Sequence, residues 1–226
     1  MAKKKKLILM VGHTFLYNPV VRVLKKYIEE KVLGDIYYIH SIRVNLGQVR
    51  RDVNALWNFA PHDISIIIYL LNELPNSVSV KGKRFLQKDI EDLVFMDLDF
   101  NNNVTAHFHL SWLDPSKTRK MTFVGSKKMA IYDDVDNEAK LKVYDKGIKR
   151  DEVAEKDYGA YQLKIHSGDI LIPKLDNVEP LKEECRHFID CVTNKLAPLT
   201  DGEHGFKVVK ILEASQESLE NDGQTI

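Results

Sequence analysis

The period of the hydrophobic positions changes along the chain, and each change predicts a different element. Residues 7–11 form a short, continuously apolar run, which is typical of a strand buried on both faces. The pair Asn18-Pro19 then predicts a helix start, with an asparagine N-cap and proline at the first helical position. Apolar residues recur at helical spacing as far as Val32, and Gly34 closes this helix. The order predicted here is strand, loop and helix.

A two-residue period follows from Asp35 and predicts a sheet. It is clearest in residues 103–113, where apolar residues alternate with polar ones, as in an antiparallel sheet covered on one face. Residues 134–160 are polar and weakly periodic, which favours a surface loop or an edge hairpin. The other predicted strands are 37–44, 77–86, 92–100, 118–124, 128–133, 139–145 and 160–172, with a hairpin turn at 100–103.

Three further helices are predicted after the first one. The apolar segment 62–73 predicts a helix that starts at Pro61, and the sequence TDGE at 200–203 is typical of a capping box before the last helix. A third helix carries an apolar stripe of Leu181, Cys185, Phe188 and Val192. The predicted fold class is therefore α+β: a βα piece, then a large, open, mostly antiparallel β-sheet, then two closing helices.

Composition and charge narrow the function classes. The chain has 226 residues, 44% of them hydrophobic, with 33 basic and 33 acidic side chains. The zero net charge gives no general attraction to nucleic acid or acidic lipid, and no apolar run approaches the roughly 18–20 residues of a membrane span. Cys185 and Cys191 point to different helix faces, so they are not expected to form a disulfide. We expect a protein of a reducing, cytoplasmic compartment, and we interpret Lys3 to Lys6 as a solvated lead-in.

The segment WNFAPHD at 57–63 is the strongest candidate for chemistry. If the helix begins at Pro61, His62 lies near the positive end of the helix dipole, which disfavours imidazolium and favours a neutral ring that accepts a proton. Asn58 precedes it by four residues and could orient the ring. The alternative is a histidine at a helix start whose polar atoms are satisfied by the backbone.

Other polar clusters are weaker candidates. His107 and His109 share one face of a predicted strand and could supply two metal ligands, but no third ligand is identifiable, and a polar sheet face is the favoured interpretation. The same holds for His187 and Cys191 on a helix. The arginines of the loop 47–52 could bind an anionic group of a substrate, or they could simply be solvated.

Three segments together resemble one family. They are LILMVGHTFLYNPVVRVLKKYI, RVNLGQVRRDVNALWNFAPHDISIIIYLL and VEPLKEECRHFIDCVTNKLAPLTDGEHGFKVVKILEASQESL. They resemble the C-terminal two-thirds of the glucose–fructose oxidoreductase/inositol dehydrogenase (Gfo/Idh/MocA) family, and dehydrogenases of nucleotide-linked amino sugars in particular. The resemblance implies that residues 1–34 are the last strand and linking helix of a dinucleotide-binding domain. It implies that residues 35–226 form a substrate-binding and oligomerisation domain.

The family resemblance implies hydride transfer between NAD or NADP and a sugar carbon, with a lysine and a histidine handling the hydroxyl proton. His62 falls on the family histidine and is the predicted catalytic residue. Asn58 falls where the family usually has aspartate, and an amide cannot act as a base. The predicted substrate-binding residues are Asn58, Trp57, Asn54, Arg51 and Asn45. His13 and Tyr17 are the predicted cofactor-binding residues, because ligands gather beyond the ends of parallel strands. No metal is expected.

The family's glycine-rich turn and its Glu-Lys-Pro motif, which carries the catalytic lysine, do not occur in this sequence. We therefore expect only weak binding of NAD or NADP by the chain alone and inactivity in isolation. The expected partners are a sugar or nucleotide sugar, a separate dinucleotide-binding domain, and further copies of the chain through the sheet face. The alternative is a non-catalytic, sugar-binding or self-associating relict of the family. A metal hydrolase using His107 and His109 is a more distant alternative.

Overall fold

The computed structural model describes residues 1–150 and 163–226. Residues 160–162 of the last predicted strand, and 151–160 of the predicted polar loop, lie outside that part. The helices are α1 (Ala2–Lys5), α2 (Pro19–Glu29), α3 (Ala55–Leu71), α4 (Pro180–Asn194) and α5 (Gly202–Glu220), with 3₁₀ turns at Thr14–Tyr17 and Asn101–Asn103. The strands are β1 (Ile36–Val44), β2 (Ser77–Lys83), β3 (Leu93–Asp99), β4 (Thr105–Ser111), β5 (Thr118–Gly125), β6 (Met129–Asp133), β7 (Leu141–Arg150) and β8 (Leu163–Leu171).

The eight strands form one open sheet in the order β2-β3-β4-β1-β5-β6-β7-β8. Only β1 and β4 pair in parallel, and every other neighbouring pair is antiparallel. The predicted fold class, α+β around a large, mostly antiparallel sheet, is thereby confirmed. Among residues 1–150 and 163–226, no helix combines the length and apolar character that a bilayer crossing requires.

One face of the sheet carries the core and the other stays open. Phe108 and Leu110 of β4 are fully buried beneath the helices, whereas His107 and His109 between and beside them are only partly buried on the opposite face. The alternation predicted for this strand is therefore confirmed. The predicted turn at 100–103 is confirmed as well, since Asn102 has the left-handed φ of 56° that asparagine tolerates.

Helix α3 starts earlier than predicted. It begins at Ala55, and Asn54 caps it by accepting a hydrogen bond from the backbone N–H of Trp57 at 3.1 Å. Pro61 therefore lies inside the helix, and the prediction that the helix starts there is wrong. Ala55, Leu56 and Ala60 are completely buried, so packing stabilises the turns that precede the proline and overrides the proline as a start signal.

The strand predicted at residues 7–11 is also wrong. Only Met10 forms an isolated bridge, to Asp201, and no strand of the described residues lies beside the segment to complete a ladder. Leu7 and Leu9 are 62% and 54% exposed, the reverse of a strand buried on both faces. Ala2–Lys5 form the short helix α1, whose side chains contribute nothing to the core.

Two helix ends differ from the prediction in detail. Helix α2 is capped by Asn18 as predicted but ends at Glu29, because Lys31 adopts a left-handed φ of 55° before Val32 is reached. Helix α5 is capped by Asp201, whose carboxylate accepts hydrogen bonds from two N–H groups of the first turn. Thr200, the first residue of the predicted capping box, instead donates its hydroxyl to the carbonyl of Val11 at 2.7 Å.

The apolar stripe of helix α4 faces solvent. Leu181, Phe188 and Val192 are 54%, 42% and 53% exposed, whereas Glu184 and Cys191 are buried against the rest of the protein. The helix packs mainly on the 3₁₀ turn Thr14–Tyr17. The other cysteine, Cys185, is exposed, and both thiols are free, as the spacing predicts.

A buried ion pair fastens helix α3 to the centre of the sheet. Arg43 of β1 donates from Nε to both carboxylate oxygens of Asp63, at 3.0 and 3.1 Å, and a second guanidinium nitrogen also bonds Oδ1. Ser41 donates its hydroxyl to the same carboxylate at 2.8 Å. Both ionic side chains are more than 90% buried, so each charge depends on the other for its stabilisation.

Loss of one partner of this pair should destabilise the fold strongly. We expect Asp63→Ala to lower the free energy of unfolding by about 3–5 kcal/mol, because Arg43 is left as an uncompensated buried charge. The double variant Arg43→Met/Asp63→Leu should recover most of that loss, since it removes both charges and retains volume. Urea unfolding followed by circular dichroism measures the differences.

The matched control is Asp52→Ala, which breaks the exposed pair that Asp52 forms with Arg50. Water and salt already screen that pair, so its loss should change the urea midpoint little. Equal midpoints for Asp63→Ala and Asp52→Ala would contradict the structural importance of the buried pair.

Candidate functional site

His62 lies well inside α3, where the helix passes the 3₁₀ turn Thr14–Tyr17. Its ring is partly exposed and packs against Phe15 with 5.1 Å between the ring centroids. The residue after it, Asp63, points into the sheet and forms the buried pair with Arg43. The ion pair therefore determines where the His62 imidazole stands.

The pKa of His62 is lowered from its ordinary value, first by burial and then by the positive charge of Arg43. Asp63 opposes this change, and Arg119 adds to it weakly. The ring is thus neutral near pH 7 and able to accept a proton, as the sequence predicts. The cause differs from the predicted one, because His62 does not stand at the helix N-terminus.

The three predicted site residues at the start of α3 are held by other side chains. The Asn58 amide oxygen accepts a hydrogen bond from the indole of Trp112 at 3.0 Å. Trp57 donates its indole N–H to Gln216 at 3.1 Å. Asn54 caps the helix and donates to Gln216 and to Glu91. These bonds fasten α3 to α5 and to the β3–β4 edge of the core.

Arg51 and Asn45 lie in the connection between β1 and α3. Arg51 is exposed, and among the described residues it has no acidic partner within ion-pair distance. Arg50 beside it is paired with Asp52. Asn45 donates its backbone N–H to the carbonyl of Ser111 at 3.1 Å, and its side chain is partly exposed. Of the two arginines of this loop, Arg51 is the one available to a ligand.

His13 and Tyr17 are both buried next to α4 and α5. The His13 ring meets His204 edge to face at 5.2 Å, and its Nε2 atom has no hydrogen-bond partner among residues 1–150 and 163–226. Burial, followed by the charges of His204 and His62, lowers the pKa of His13 to about 4. Tyr17 is 1% exposed and its hydroxyl lies 3.3 Å from that of Thr200, so in this chain its side chain belongs to the core.

Four residues escaped the sequence analysis: Phe15, which contacts His62, Arg43, whose charge acts on it, Glu184, and His204, which contacts His13. Thr14 donates its hydroxyl to Glu184, whose Oε1 is buried and has no partner within the described part of the chain. Arg43 gave a usable signal, because it occupies an inward-facing position of a strand and an aspartate interrupts the apolar helix that follows. Phe15 and His204 gave no signal in the sequence, because only tertiary packing brings them to His62 and His13.

His107 and His109, the candidate metal ligands, are not joined by a third ligand among the described residues. His107 bonds Asp97 through Nδ1 at 2.7 Å, and Phe95 stacks on His109 at 4.8 Å on the open sheet face. Across residues 1–150 and 163–226, no group of three histidine, cysteine or acidic side chains converges as metal ligands do. On α4, His187 accepts a backbone hydrogen bond from Leu199 at 3.0 Å and lies beside Cys191.

Comparisons with known proteins agree with this fold. Residues 21–131 match the model of the GFO/IDH/MocA C-terminal domain. A 2,7-anhydro-N-acetylneuraminate hydratase of Mediterraneibacter gnavus is 24% identical, over 42% of this chain and 29% of that protein. A UDP-N-acetylglucosamine 3-dehydrogenase structure from Acidithiobacillus ferrooxidans is similar with a TM-score of 0.75 and 20% identity, over 98% of this chain and 65% of that one.

A levoglucosan dehydrogenase solved with NADH and L-sorbose has a TM-score of 0.76 and 16% identity, over 99% of this chain and 66% of that one. These two structural likenesses concern the fold. The chain spans 29% of the curated relative and about two thirds of each solved relative, 65% and 66%. The family model identifies residues 21–131 of this chain as a GFO/IDH/MocA C-terminal domain, and the solved relatives share the fold of nearly the whole chain.

Proposed function

We propose that this chain is the substrate-binding part of an oxidoreductase that transfers a hydride between NAD(P) and a sugar. The observation that carries the proposal is His62, a partly exposed imidazole kept neutral by burial and by Arg43. It lies in a fold shared with a UDP-N-acetylglucosamine 3-dehydrogenase and a levoglucosan dehydrogenase. In this proposal residues 1–34 belong with the dinucleotide-binding part, and residues 35–226 bind substrate and self-associate.

His62 performs the proton step of the reaction. As a sugar hydroxyl is oxidised, the imidazole accepts its proton while the C–O bond becomes a carbonyl. In the reverse direction imidazolium returns the proton to the oxygen. A neutral ring with a lowered pKa is the form that can accept a proton near pH 7. Asn58 contributes no charge to this step, because it is an amide that holds Trp112.

NAD or NADP supplies the hydride acceptor, but the described residues do not build a site for its pyrophosphate. Such a site needs a glycine-rich turn between a strand and a helix N-terminus. Residues 7–11 are not paired as a strand, and Tyr17 is buried in the core. His13 is also buried, although its Nε2 has no hydrogen-bond partner among the residues that the structure describes. Tight cofactor binding therefore requires a separate dinucleotide-binding domain.

A nucleotide-linked amino sugar is the substrate class we favour. Arg51 is exposed next to the start of α3, and no carboxylate among the described residues neutralises it. A guanidinium binds a diphosphate through two parallel hydrogen bonds. The UDP-N-acetylglucosamine 3-dehydrogenase acts on a substrate of this class, which supports the assignment. Trp57, Asn54 and Asn45 line the same end of α3 and the loop before it.

The exposed stripe of α4 is the surface we assign to the dinucleotide-binding domain. Leu181, Phe188 and Val192 form an apolar row on a helix whose opposite side packs on the turn that carries Phe15. A contiguous apolar row in water is typical of an interaction surface. A domain docked there would contact α4, which in turn contacts the 3₁₀ turn that carries Phe15.

The open face of the sheet is the surface we assign to self-association. It exposes Tyr38 by 45% and Phe95 by 40%, together with His107 and His109. A broad sheet is usually covered on both faces or polar on the open one. A second copy of this chain, packing face to face, would bury these aromatic rings.

A second candidate function is a non-catalytic, sugar-binding or self-associating protein. Two features favour it: Asn58 replaces the family carboxylate, and the Glu-Lys-Pro motif does not occur in this sequence. The candidates differ in one measurable property, since only the enzyme forms NADH or NADPH when a dinucleotide-binding domain is added.

Replacement of His62 tests the catalytic role. In a fusion of this chain with a dinucleotide-binding domain of the family, we expect His62→Ala to lower kcat at least about a hundredfold, as for a positioned acid–base group. The change should be read from NADH or NADPH formation with UDP-N-acetylglucosamine. The control is His166→Ala on β8, at the far edge of the sheet. Near-normal turnover of His62→Ala would contradict the role of His62, and no turnover in the unmodified fusion would favour the non-catalytic candidate.

The docking surface is tested separately, with the dinucleotide-binding domain supplied as a second polypeptide. We expect Phe188→Asp and Val192→Asp each to weaken its binding at least about tenfold in calorimetry, since a carboxylate is then desolvated at the contact. The control is Ile165→Asp, an 86% exposed residue on β8 far along the sheet. Equal binding by the α4 variants and the control would contradict docking on this stripe.

A further inference from the structure

We propose that Phe15 and Arg43 are positioning residues for His62, acting as one stack in which Arg43 holds the Phe15 ring and the ring holds the imidazole. The proposal rests on the proposed function only in calling His62 the proton acceptor. The stack itself is a property of the described geometry. Neither residue touches the reacting atoms in this scheme, and both act through the orientation of His62.

Phe15 lies between the other two side chains and contacts both Arg43 and His62. The Arg43 guanidinium carbon lies 4.8 Å from the centroid of the Phe15 ring. The Phe15 and His62 ring centroids are 5.1 Å apart with a 58° angle between the planes. Both separations are within the range of attractive cation–π and tilted aromatic contacts. The three residues come from β1, the 3₁₀ turn Thr14–Tyr17 and α3, so the stack joins three elements.

Arg43 is the fixed end of the stack. Its side chain is 8% exposed, and its in-plane N–H groups are directed to Asp63. Ser41 bonds the same carboxylate and restrains it further. The guanidinium carbon also lies over the Phe15 ring, so Arg43 bonds Asp63 through its N–H groups and contacts Phe15 at the same time. A lysine at position 43 could keep the charge but could not reproduce this geometry.

Phe15 is only partly buried, so filling the core is not its sole role. Its ring packs on the His62 imidazole, which remains partly exposed. An acid–base group needs this combination, because a small misplacement of the reacting nitrogen is expected to reduce turnover. The neighbouring Tyr17 of the same 3₁₀ turn is fully buried and secures the turn itself.

The charged and titratable groups around His62 come from its own helix and from the elements that pack around it. They are Arg43 of β1, Asp63 of α3, Arg119 of β5 and His13 before the 3₁₀ turn. Burial is the largest cause of the lowered pKa of His62, and Arg43 is the next. Removal of the Phe15 ring should admit water and therefore raise this pKa towards its ordinary value of 6.5.

The first experiment needs no enzymatic activity. The His62 ring protons are followed by NMR through a pH titration of the full chain, in the unmodified protein and in Phe15→Leu and Phe15→Tyr. We expect Phe15→Leu to abolish the ring-current shift of His62 and raise its pKa. Phe15→Tyr retains the aromatic face and should restore both properties. Unchanged His62 shifts and pKa in Phe15→Leu, with the fold intact by circular dichroism, would overturn the proposal.

Phe95→Leu is the matched control. Phe95 is also a partly exposed phenylalanine stacked on a histidine, His109, at 4.8 Å, but it lies on the open face of the sheet. This variant should alter the His109 signals and leave those of His62 unchanged. If Phe95→Leu moved the His62 signals as far as Phe15→Leu does, the specific contact between Phe15 and His62 would be refuted.

The second experiment uses the fusion with the dinucleotide-binding domain. A positioning role predicts that Phe15→Leu lowers kcat at least about tenfold with little change in KM, and that Phe15→Tyr recovers it. Arg43→Lys should show the same pattern, with a correspondingly altered His62 ring-current shift. A change in KM alone, or no change in kcat, would overturn the positioning role.

The two proposals fail in distinguishable ways. If His62→Ala keeps its turnover while Phe15→Leu still shifts the His62 signals, the proton role of His62 is wrong. That result also overturns a catalytic purpose for the stack, while its geometry stands. If His62→Ala loses turnover while Phe15→Leu changes neither signals nor kcat, the function stands and the stack is refuted.

Discussion

The buried pair of Arg43 and Asp63 is the interaction on which the rest of this structure depends. It joins the central strand β1 to helix α3 through charges that water no longer screens, so neither side chain tolerates the loss of the other. An apolar contact would let the helix slide or rotate within a range of similar packings. A bidentate pair permits one orientation, and that orientation carries His62 to Phe15. A fold-stabilising interaction and a site-forming one are therefore the same contact.

The sheet could be predicted from the sequence because its signal is local and repeated. The alternation in residues 103–113 and the turn at 100–103 follow from side chains that face opposite sides of one strand. The start of α3 could not be predicted in this way. Pro61 is a strong local signal for a first turn, but the burial of Ala55 and Leu56 against residues distant in sequence outweighs it.

Only part of the candidate site could be predicted from the sequence, because tertiary contacts determine the rest. His62 could be found from its neighbours in the motif, and its neutral state could be expected, although for the wrong cause. Burial and Arg43 lower its pKa, and both depend on tertiary contacts rather than on position in the helix. Phe15 lies in a turn without periodicity, so nothing local assigns it a role. Tyr17 lies in the same turn and likewise lacks a local signal, but its side chain is part of the core.

Helix α4 shows that an amphipathic pattern can predict a helix without predicting which side of it is buried. The periodicity of Leu181, Phe188 and Val192 correctly indicates a helix, yet its apolar side faces water and its buried side carries Glu184. Hydrophobic spacing indicates that one face of a helix is suited to burial, but it does not identify the surface that buries it. The buried Glu184 accepts a hydrogen bond from Thr14, the first residue of the turn that carries Phe15. In the proposed assembly, a domain on the outer face of α4 and the His62 stack would act on the same 3₁₀ turn, which would couple domain docking to the position of the His62 ring.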